Sequence, residues 1–276
     1  MKKSLSVLSL LFGLFVCVTV FSACGGDDEP SSGGNNGSSN NQTSGNNQTP
    51  NTPQSSKHVA KIITEEGSSF YESSFTYDSQ GRVTKVIKTQ SGTGTNSYSE
   101  TEYQYGEMLI ISKMKGEGTY SNGQSFTRTE SHSYTLENGR IVKDEEKQGS
   151  SLNSTSSSRT DTFSYDANNY LSSINTTMLT WSDGNLIKLG DRSFEYSNYP
   201  WVKGFPLYLE SSNMDANLFA IGYYGNIPKN LPSKTSRTSG ATYDYTFEGS
   251  YVTKVVITPF VENNKSHKSI STIIWE

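Results

Sequence analysis

The segment FTYDSQGRVTKVIK, residues 75–88, contains the features that decide the fold. Tyr77 ends a short run of aromatic and polar residues, and Val83 begins a second apolar run after a gap. Within the gap, Asp78 can accept hydrogen bonds from the backbone that follows it, and Gly81 can adopt a positive φ. The segment therefore predicts a β-hairpin with a tight turn.

The same pattern recurs along the chain. Short apolar runs joined by close turns predict an antiparallel up-and-down meander, and a sheet of more than about ten strands tends to curl or close. We expect an all-β domain, a strongly curved sheet or incomplete barrel with at most one short helix near residues 213–221. The other hairpin segments are FSYDANNYLSSI at 163–174, YTLENGRIV at 134–142 and YTFEGSYVTKVVI at 245–257.

An integral transmembrane barrel is a further interpretation of such a meander. It needs strands of about 9–11 residues with an uninterrupted apolar row facing the lipid. Simple alternation places Lys85 on one face with Val83, and Lys254 on one face with Val252. These charges interrupt the row, so the pattern disfavours a membrane-spanning barrel.

Two stretches of the chain, residues 91–104 and 117–133, are unusually polar, and the second contains a predicted strand that is polar on both faces. In SFTRTESHSY, residues 125–134, one face carries only serine and threonine, and the other carries Arg128, Glu130 and His132 after Phe126. Neither face suits a dry core. We expect this strand to extend past the main sheet as a projecting hairpin with water on both sides.

The first 23 residues resemble a bacterial lipoprotein signal peptide. Lys2 and Lys3 precede an apolar run from residue 5 to residue 21, as in a secretory signal. Small residues then precede Cys24, as in a lipobox. We expect cleavage before Cys24 and acyl chains such as palmitate on its sulfur. An uncleaved anchor helix and plain secretion remain as alternatives.

The residues after Cys24 indicate where the protein is displayed. Asp27, Asp28 and Glu29 form an acidic patch that resembles the export signal of Bacteroidota surface lipoproteins. We expect an outer-membrane protein that is lipid-anchored and faces the cell exterior. The alternative is that this patch is only the charged start of a linker.

The chain divides into three parts. Residues 1–23 form the signal peptide, and residues 24–56 form the lipidated cysteine plus a Ser/Gly/Asn linker without periodic apolar residues, which predicts disorder. Residues 57–276 form a single β-rich domain. Because Cys24 is consumed by acylation and the chain has only 2 cysteines, the exported domain forms no disulfide.

Composition excludes one class of partner. The formal net charge is −4 and becomes more negative once the two signal-peptide lysines are removed. Nucleic-acid binding needs clustered lysine and arginine. We therefore expect the membrane, through the lipid anchor, and a glycan or protein ligand as partners, and no nucleic acid.

Catalytic and metal-binding motifs are not found in the sequence. The histidines, His58, His132 and His267, lie far apart with no second ligand at the usual spacing. A serine nucleophile has no GxSxG elbow and no neighbouring base. We therefore expect no metal, no cofactor and no enzymatic activity, although paired carboxylates could still assemble a glycosidase site in the folded chain.

Most of residues 57–276 resembles an uncharacterised family of gut Bacteroidota lipoproteins, known as a domain of unknown function with a porin-like fold. The resemblance depends on the order of the hairpin segments, on LTWSDGNLIKL at 179–189, and on IGYYGNIPKNLPS at 221–233. It implies a curved sheet of barrel type and no catalytic residues. The YDxxGR motif also resembles bacterial YD repeats, over a much shorter stretch.

The aromatic residues concentrate between residues 194 and 224, where prolines interrupt ladder pairing. Exposed rings on such a segment could stack on sugars or on a partner protein. The alternative is that these rings plug one end of the sheet. The ligand-binding candidates are Tyr199, Trp201, Tyr208, Tyr223 and Tyr224.

Three functions remain open for the folded domain. The first is a surface-displayed module that binds or adheres to a glycan or protein. The second is a structural or accessory subunit of an outer-membrane assembly. The third, the least favoured, is a glycan-active enzyme.

Overall fold

The computed structural model describes residues 57–92, 94–152, 156–207, 213–237, 239–261 and 267–276. The signal peptide, Cys24, the acidic patch and the linker lie outside these residues, and so does Tyr208. The predictions made for those positions therefore remain predictions.

The described chain forms sixteen strands and one short helix, and each strand pairs with its sequence neighbours. The elements are β1 Val59–Glu66, β2 Ser69–Tyr77, β3 Val83–Ser91, β4 Thr95–Tyr105, β5 Leu109–Tyr120, β6 Ser125–Glu137, β7 Arg140–Ser150, β8 Ser156–Tyr165, β9 Leu171–Ile174, β10 Thr177–Ser182, β11 Asn185–Leu189, β12 Arg192–Pro200, α1 Ala216–Ala220, β13 Asn230–Ser236, β14 Ser239–Glu248, β15 Tyr251–Val261 and β16 Ser269–Trp275.

The predicted all-β meander is confirmed, and the sheet closes completely. Strand β1 pairs antiparallel with β16, from Val59 opposite Trp275 to Glu66 opposite Ser269. This pairing leaves the sheet without an edge, since closure alone removes edge strands. The expected short helix is present at Ala216–Ala220.

The turn chemistry expected from the sequence is also observed. The Oδ1 atom of Asp78 accepts hydrogen bonds from the backbone N–H groups of Gln80 and Arg82, at 2.9 and 3.0 Å. Asp166 makes the equivalent pair of bonds to Asn168 and Tyr170. The same aspartate turn therefore reverses the chain in two separate hairpins.

A β-bulge follows the first or second residue of six odd-numbered strands in the described chain. Because a bulge inserts one extra residue, the residue before the bulge and the residue three positions after it both face the interior. This explains why apolar residues recur at a spacing of three. The inward pairs are Val59 and Ile62, Val83 and Val86, Ile141 and Asp144, Leu171 and Ile174, Leu186 and Leu189, and Val252 and Val255.

The bulges correct one expectation about the lysines. Val83 is buried inside the barrel, whereas Lys85 lies on the outer wall, beside Glu100. Lys254 likewise lies outside and Val252 inside. The prediction that each lysine shares a face with the preceding valine is wrong, because simple alternation does not hold across a bulge.

Aromatic side chains join neighbouring strands at one end of the barrel. Each lies near the end of an even-numbered strand and donates a hydrogen bond of 2.6–2.8 Å to a backbone carbonyl at the start of the preceding strand. The described pairs are Tyr77 to Val59, Tyr105 to Val83, Tyr165 to Ile141, Trp181 to Leu171, Tyr196 to Leu186, Tyr245 to Pro232 and Trp275 to Val252.

The same end is filled by the connection between β12 and β13, which we call the plug (residues 201–207 and 213–229). Phe205 packs near Trp275 of β16, and Tyr224 packs edge-on to Phe163 of β8. The backbone N–H of Ile141 in β7 donates to the carbonyl of Tyr223 at 2.8 Å. The plug therefore contacts strands from different sides of the barrel and forms much of its core.

The outer wall carries charged side chains on many strands. Ion pairs join neighbouring strands across this wall, at 2.7 Å for Lys61 with Glu72 and 2.8 Å for Lys234 with Glu195. Threonine and serine occupy most outward positions of β6 and β8, and these are exposed or half-buried. Among the described residues, no helix is long and apolar enough to cross a bilayer.

Candidate functional site

The polar residues of β6, β7 and β8 converge inside the barrel. Glu130 and His132 share the inner face of β6, and the register places His132 opposite Glu146 of β7. Glu146 in turn lies opposite Arg159 of β8, and Asp144 opposite Asp161. We call Glu130, His132, Asp144, Glu146, Arg159 and Asp161 the polar cluster.

His132 lies between two carboxylates. Its Nδ1 atom is 2.8 Å from Oδ2 of Asp144, and its Nε2 atom is 2.9 Å from Oε1 of Glu130. Burial lowers the pKa of His132, but these two carboxylates outweigh burial and raise it to about 10. In the metal-free protein the ring is therefore an imidazolium that donates from both nitrogens.

The carboxylates on either side of His132 respond differently to burial. Burial raises the pKa of Glu130, but the contacts with His132 and Arg128 outweigh it, so the pKa lies below the usual range. For Asp144, burial prevails over the contact with His132, and the pKa is raised. Since Asp161 and Glu146 add negative charge, they raise the pKa of Asp144 further.

Arg159 forms ion pairs with two carboxylates of the polar cluster, those of Glu146 and Asp161. Its guanidinium lies 2.7 Å from Oε2 of Glu146 and 2.9 Å from Oδ2 of Asp161. The other oxygen of Asp161 accepts hydrogen bonds from Asn175 and from Asn213 of the plug, at 2.7 and 3.0 Å. The plug is thus joined directly to the polar cluster.

A second polar contact joins the plug to β4. The hydroxyl of Tyr103 donates to Oδ2 of Asp215 at 2.7 Å, and the side chain of Asn217 donates to the same hydroxyl at 3.0 Å. Asp215 also caps α1 through its other oxygen, which accepts from the N–H groups of Asn217 and Leu218. These bonds orient the plug inside the barrel.

The barrel interior is open to solvent beyond the polar cluster. Lys88 follows buried Val86 by two residues and so shares its inner face, yet its side chain is exposed. Burial within the protein nevertheless lowers the pKa of Lys88, although the charges of Asp215 and Glu130 oppose this. The ammonium group therefore lies in a solvent-accessible space surrounded by protein.

An aromatic pair lies on the same inner wall, towards the hairpin that joins β5 to β6. Tyr120 and Phe126 are half-buried, with ring centroids 4.9 Å apart. A Cβ atom at Gly118 would lie 2.6 Å from Cζ of Phe126, so glycine makes room for this ring. We call Lys88, Tyr120, Phe126 and Arg128 the mouth residues.

The predicted projecting hairpin is right about exposure, since only Glu130 is buried among residues 127–133, but wrong about pairing, since β7 also pairs with this part of β6. Strand β6 pairs with β5 on one side and with β7 on the other, within the closed barrel. The outward threonines Thr127 and Thr129 are exposed, as expected, but Glu130 is buried. On the inner face, Glu130 and His132 lie beside the carboxylates of β7 and Arg159 of β8, whereas Phe126 and Arg128 lie at the open end of the barrel.

The predicted ligand-binding residues are dispersed. Trp201 is 2% exposed and Tyr224 is fully buried, and both pack within the plug and core. Tyr223 is half-buried and stacks near Tyr105, whereas Tyr199 is 49% exposed beside Phe247. Plug packing, the alternative drawn from the sequence, describes Trp201 and Tyr224, and a binding role for Tyr199 stays a prediction.

The polar cluster and mouth are the residues that sequence reasoning missed. Glu130 and His132 are two residues apart, a spacing that places both on one strand face, and Asp144 and Glu146 repeat it on the next strand. In the sequence, His132 has no second ligand at the usual metal spacing, whereas the structure places Glu130 of the same strand and Asp144 and Glu146 of the adjacent strand beside it. The sequence therefore contained a signal for this cluster: two pairs of polar residues at a spacing of two, on strands joined by the turn at Asn138–Gly139.

The fold and site together define a class: a closed up-and-down β-barrel with a plugged end and a polar, partly open interior. A family model described as a domain of unknown function (DUF4595) with porin-like fold matches residues 75–255. The chain belongs to this family, which confirms the resemblance drawn from the hairpin segments.

The chain also has a distant structural match. A porin-like protein from Bacteroides vulgatus is 11% identical, with 80% of this chain and 99% of that chain covered, at a TM-score of 0.29. No curated protein matches the chain. The family assignment rests on the family model.

Proposed function

We propose that the mature protein is a lipid-anchored protein of the outer cell surface whose barrel binds a glycan at the mouth residues. The anchor is the acylated Cys24, and the polar linker to residue 56 carries the barrel away from the bilayer. The charged outer wall supports this arrangement, since a lipid-facing barrel needs an apolar band. No catalytic step is part of the proposal.

The observation that carries the binding role is the inner wall at the mouth. A half-buried aromatic pair, Tyr120 and Phe126, lies on the same wall as Lys88, which is exposed. Ligand sites combine apolar and aromatic walls with a few convergent polar groups. The C–H face of a sugar ring can pack on an aromatic ring while its hydroxyls bond to charged side chains.

The anchor is tested by changing the acylated residue. In Cys24→Ser the acyl chains are absent, so the protein should move from the detergent phase to the aqueous phase. Phase partitioning of cell extracts with immunoblotting measures this. If the variant stays in the detergent phase, the barrel or the apolar leader holds the protein in the membrane and the lipid anchor is wrong.

Surface display is measured on the same cells. Wild-type protein on intact cells should be cleaved by added protease, whereas a variant lacking residues 27–29 should be membrane-bound but protected. Equal cleavage of the two proteins would show that the acidic patch does not direct export.

The binding role is tested on the soluble Cys24→Ser protein. Phe126→Ala should weaken retention on a glycan array about tenfold or more, a loss of about 1.4 kcal/mol of binding free energy. Tyr98→Ala is the matched control, because Tyr98 is 40% exposed on β4, two strands away, but faces outward. Equal retention by the two variants, or no retention by the parent protein, would contradict glycan binding at the mouth.

Co-purification distinguishes the alternative function. An accessory subunit of an outer-membrane assembly should bring a membrane partner with it from solubilised membranes, and this partner should be retained by Phe126→Ala. A partner lost with Phe126→Ala would instead make the mouth a protein-binding site.

A further inference from the structure

Three side chains of the polar cluster present their ligand atoms to one point. Glu130, His132 and Glu146 each offer one nitrogen or oxygen, and these atoms lie within 4.8 Å of one another. Both glutamates are buried, and the histidine is half-buried. One imidazole and two carboxylates are a ligand set that suits Zn²⁺ and leaves a position for water.

The histidine has the kind of hydrogen-bond partner that metal-binding histidines have in proteins. Asp144 accepts from Nδ1 of His132 at 2.8 Å, which directs the Nε2 atom towards Glu130. A carboxylate behind a metal-bound histidine fixes the ring orientation and raises its basicity. His132 is therefore already oriented for ligation through Nε2.

Arginines hold the outer oxygens of both glutamates. Arg128 lies 2.7 Å from Oε2 of Glu130, and Arg159 lies 2.7 Å from Oε2 of Glu146. The Oε1 atom of each glutamate faces the other side, where it bonds to His132 in Glu130 and to Gln148 in Glu146. The arginines thus orient both carboxylates through Oε2 and leave Oε1 of Glu130 to the histidine.

We propose that Glu130, His132 and Glu146 bind a divalent transition metal, Zn²⁺ in the first instance, with Nε2 of His132 as the nitrogen ligand. Any proton on that nitrogen leaves to solvent when the metal binds. The site lies beside the mouth and shares Arg128 with it, but it uses neither aromatic residue of the mouth, so its test does not depend on glycan binding.

The charges of the cluster favour this exchange. Four carboxylates, of Glu130, Asp144, Glu146 and Asp161, face three cations, of Arg128, His132 and Arg159. These groups carry a net charge of −1, and replacing one proton by a divalent ion brings it to zero. Buried charges are tolerated where they are paired or coordinate a metal.

Calorimetric titration of the metal-free Cys24→Ser protein with ZnCl₂ tests the proposal. We expect binding of one ion per chain, with a Kd that falls about tenfold for each unit between pH 6.5 and 8.5, because binding releases a proton. Titration in two buffers of different ionisation enthalpy should give one proton released per ion. No binding at pH 8.5 by folded protein, or binding without proton release, would overturn the site.

Variants locate the ion. His132→Gln and Glu146→Gln should each weaken binding about 100-fold or more, and Asp144→Asn about 10- to 100-fold, as expected for a group behind a ligand. His267→Gln and Glu100→Gln are controls outside the cluster and should bind as the parent does. Undiminished binding by folded His132→Gln and Glu146→Gln would place the ion elsewhere and overturn the proposal.

If these variants do not fold, the site can still be tested in the protein that keeps all of its cluster residues. Nuclear magnetic resonance of ¹⁵N-labelled histidine should show the Nε2 resonance of one ring move on Zn²⁺ addition, while its Nδ1 proton is retained. If only the rings of His58 and His267 respond, the assignment to His132 is wrong.

Discussion

Replacing Trp201 by alanine should lower the free energy of unfolding by about 3–5 kcal/mol, the range for truncating a buried aromatic residue. Trp201 is 2% exposed and lies edge-on to Phe219, with ring centroids 6.1 Å apart. Its backbone N–H also donates to the carbonyl of Lys229, so it begins the plug at a fixed position. Urea denaturation followed by tryptophan fluorescence and circular dichroism measures the loss.

Tyr199 provides the matched control for this prediction. It lies two residues earlier, is 49% exposed and contacts Phe247, so Tyr199→Ala should cost less than about 1 kcal/mol. A small stability loss in Trp201→Ala, combined with lost glycan retention, would show instead that Trp201 binds ligand and that the plug is held by its other contacts.

The stability of the metal-free barrel should fall as pH rises from about 6.5 to 10. The pKa of His132 is raised from an unfolded value near 6.5 to about 10. Its protonation therefore contributes fully to stability below about pH 6.5, and the contribution is lost as pH rises through 10. By linkage the whole effect is at most about 4–5 kcal/mol, since each pKa unit corresponds to 1.36 kcal/mol.

The difference between wild type and His132→Gln isolates this contribution. Glutamine leaves Glu130 and Asp144 without the imidazolium, so the variant should be about 3–5 kcal/mol less stable at pH 6.5. The gap should narrow towards pH 10, because the wild-type ring becomes neutral, while the arginines of the cluster stay charged. Denaturation in a metal chelator at four pH values measures it, and parallel curves across this range would contradict the prediction.

Local sequence signals predicted the hairpins well because their causes are local. The Asp78 turn depends on bonds to residues two and four positions later, and these bonds are present in the structure. The short helix was predicted near its observed position, where Asp215 caps the first turn. All-β class and meander topology followed from such turns, because antiparallel neighbours need only short connections.

Side-chain direction was predicted less well. Alternation predicted that Val83 and Lys85 share a face, but the bulge after Val83 turns the valine inward and leaves the lysine outside. A bulge arises in the pairing with a neighbouring strand, here β2. The periodicity of apolar residues within one strand therefore does not reveal it. In the sequence, the bulge corresponds to apolar residues spaced three apart, as in VTKV and LSSI.

The fold class and the hairpin order could be predicted from the sequence, because each depends on residues that are neighbours in the chain, and the lipid anchor stays a prediction. Only the tertiary structure shows that the sheet closes through β1 and β16, and that residues 201–207 and 213–229 fill one end of it. It alone placed His132 between Glu130 and Asp144 and opposite Glu146. Strand register and closure join residues far apart in sequence, and the chemistry of the interior depends on those contacts.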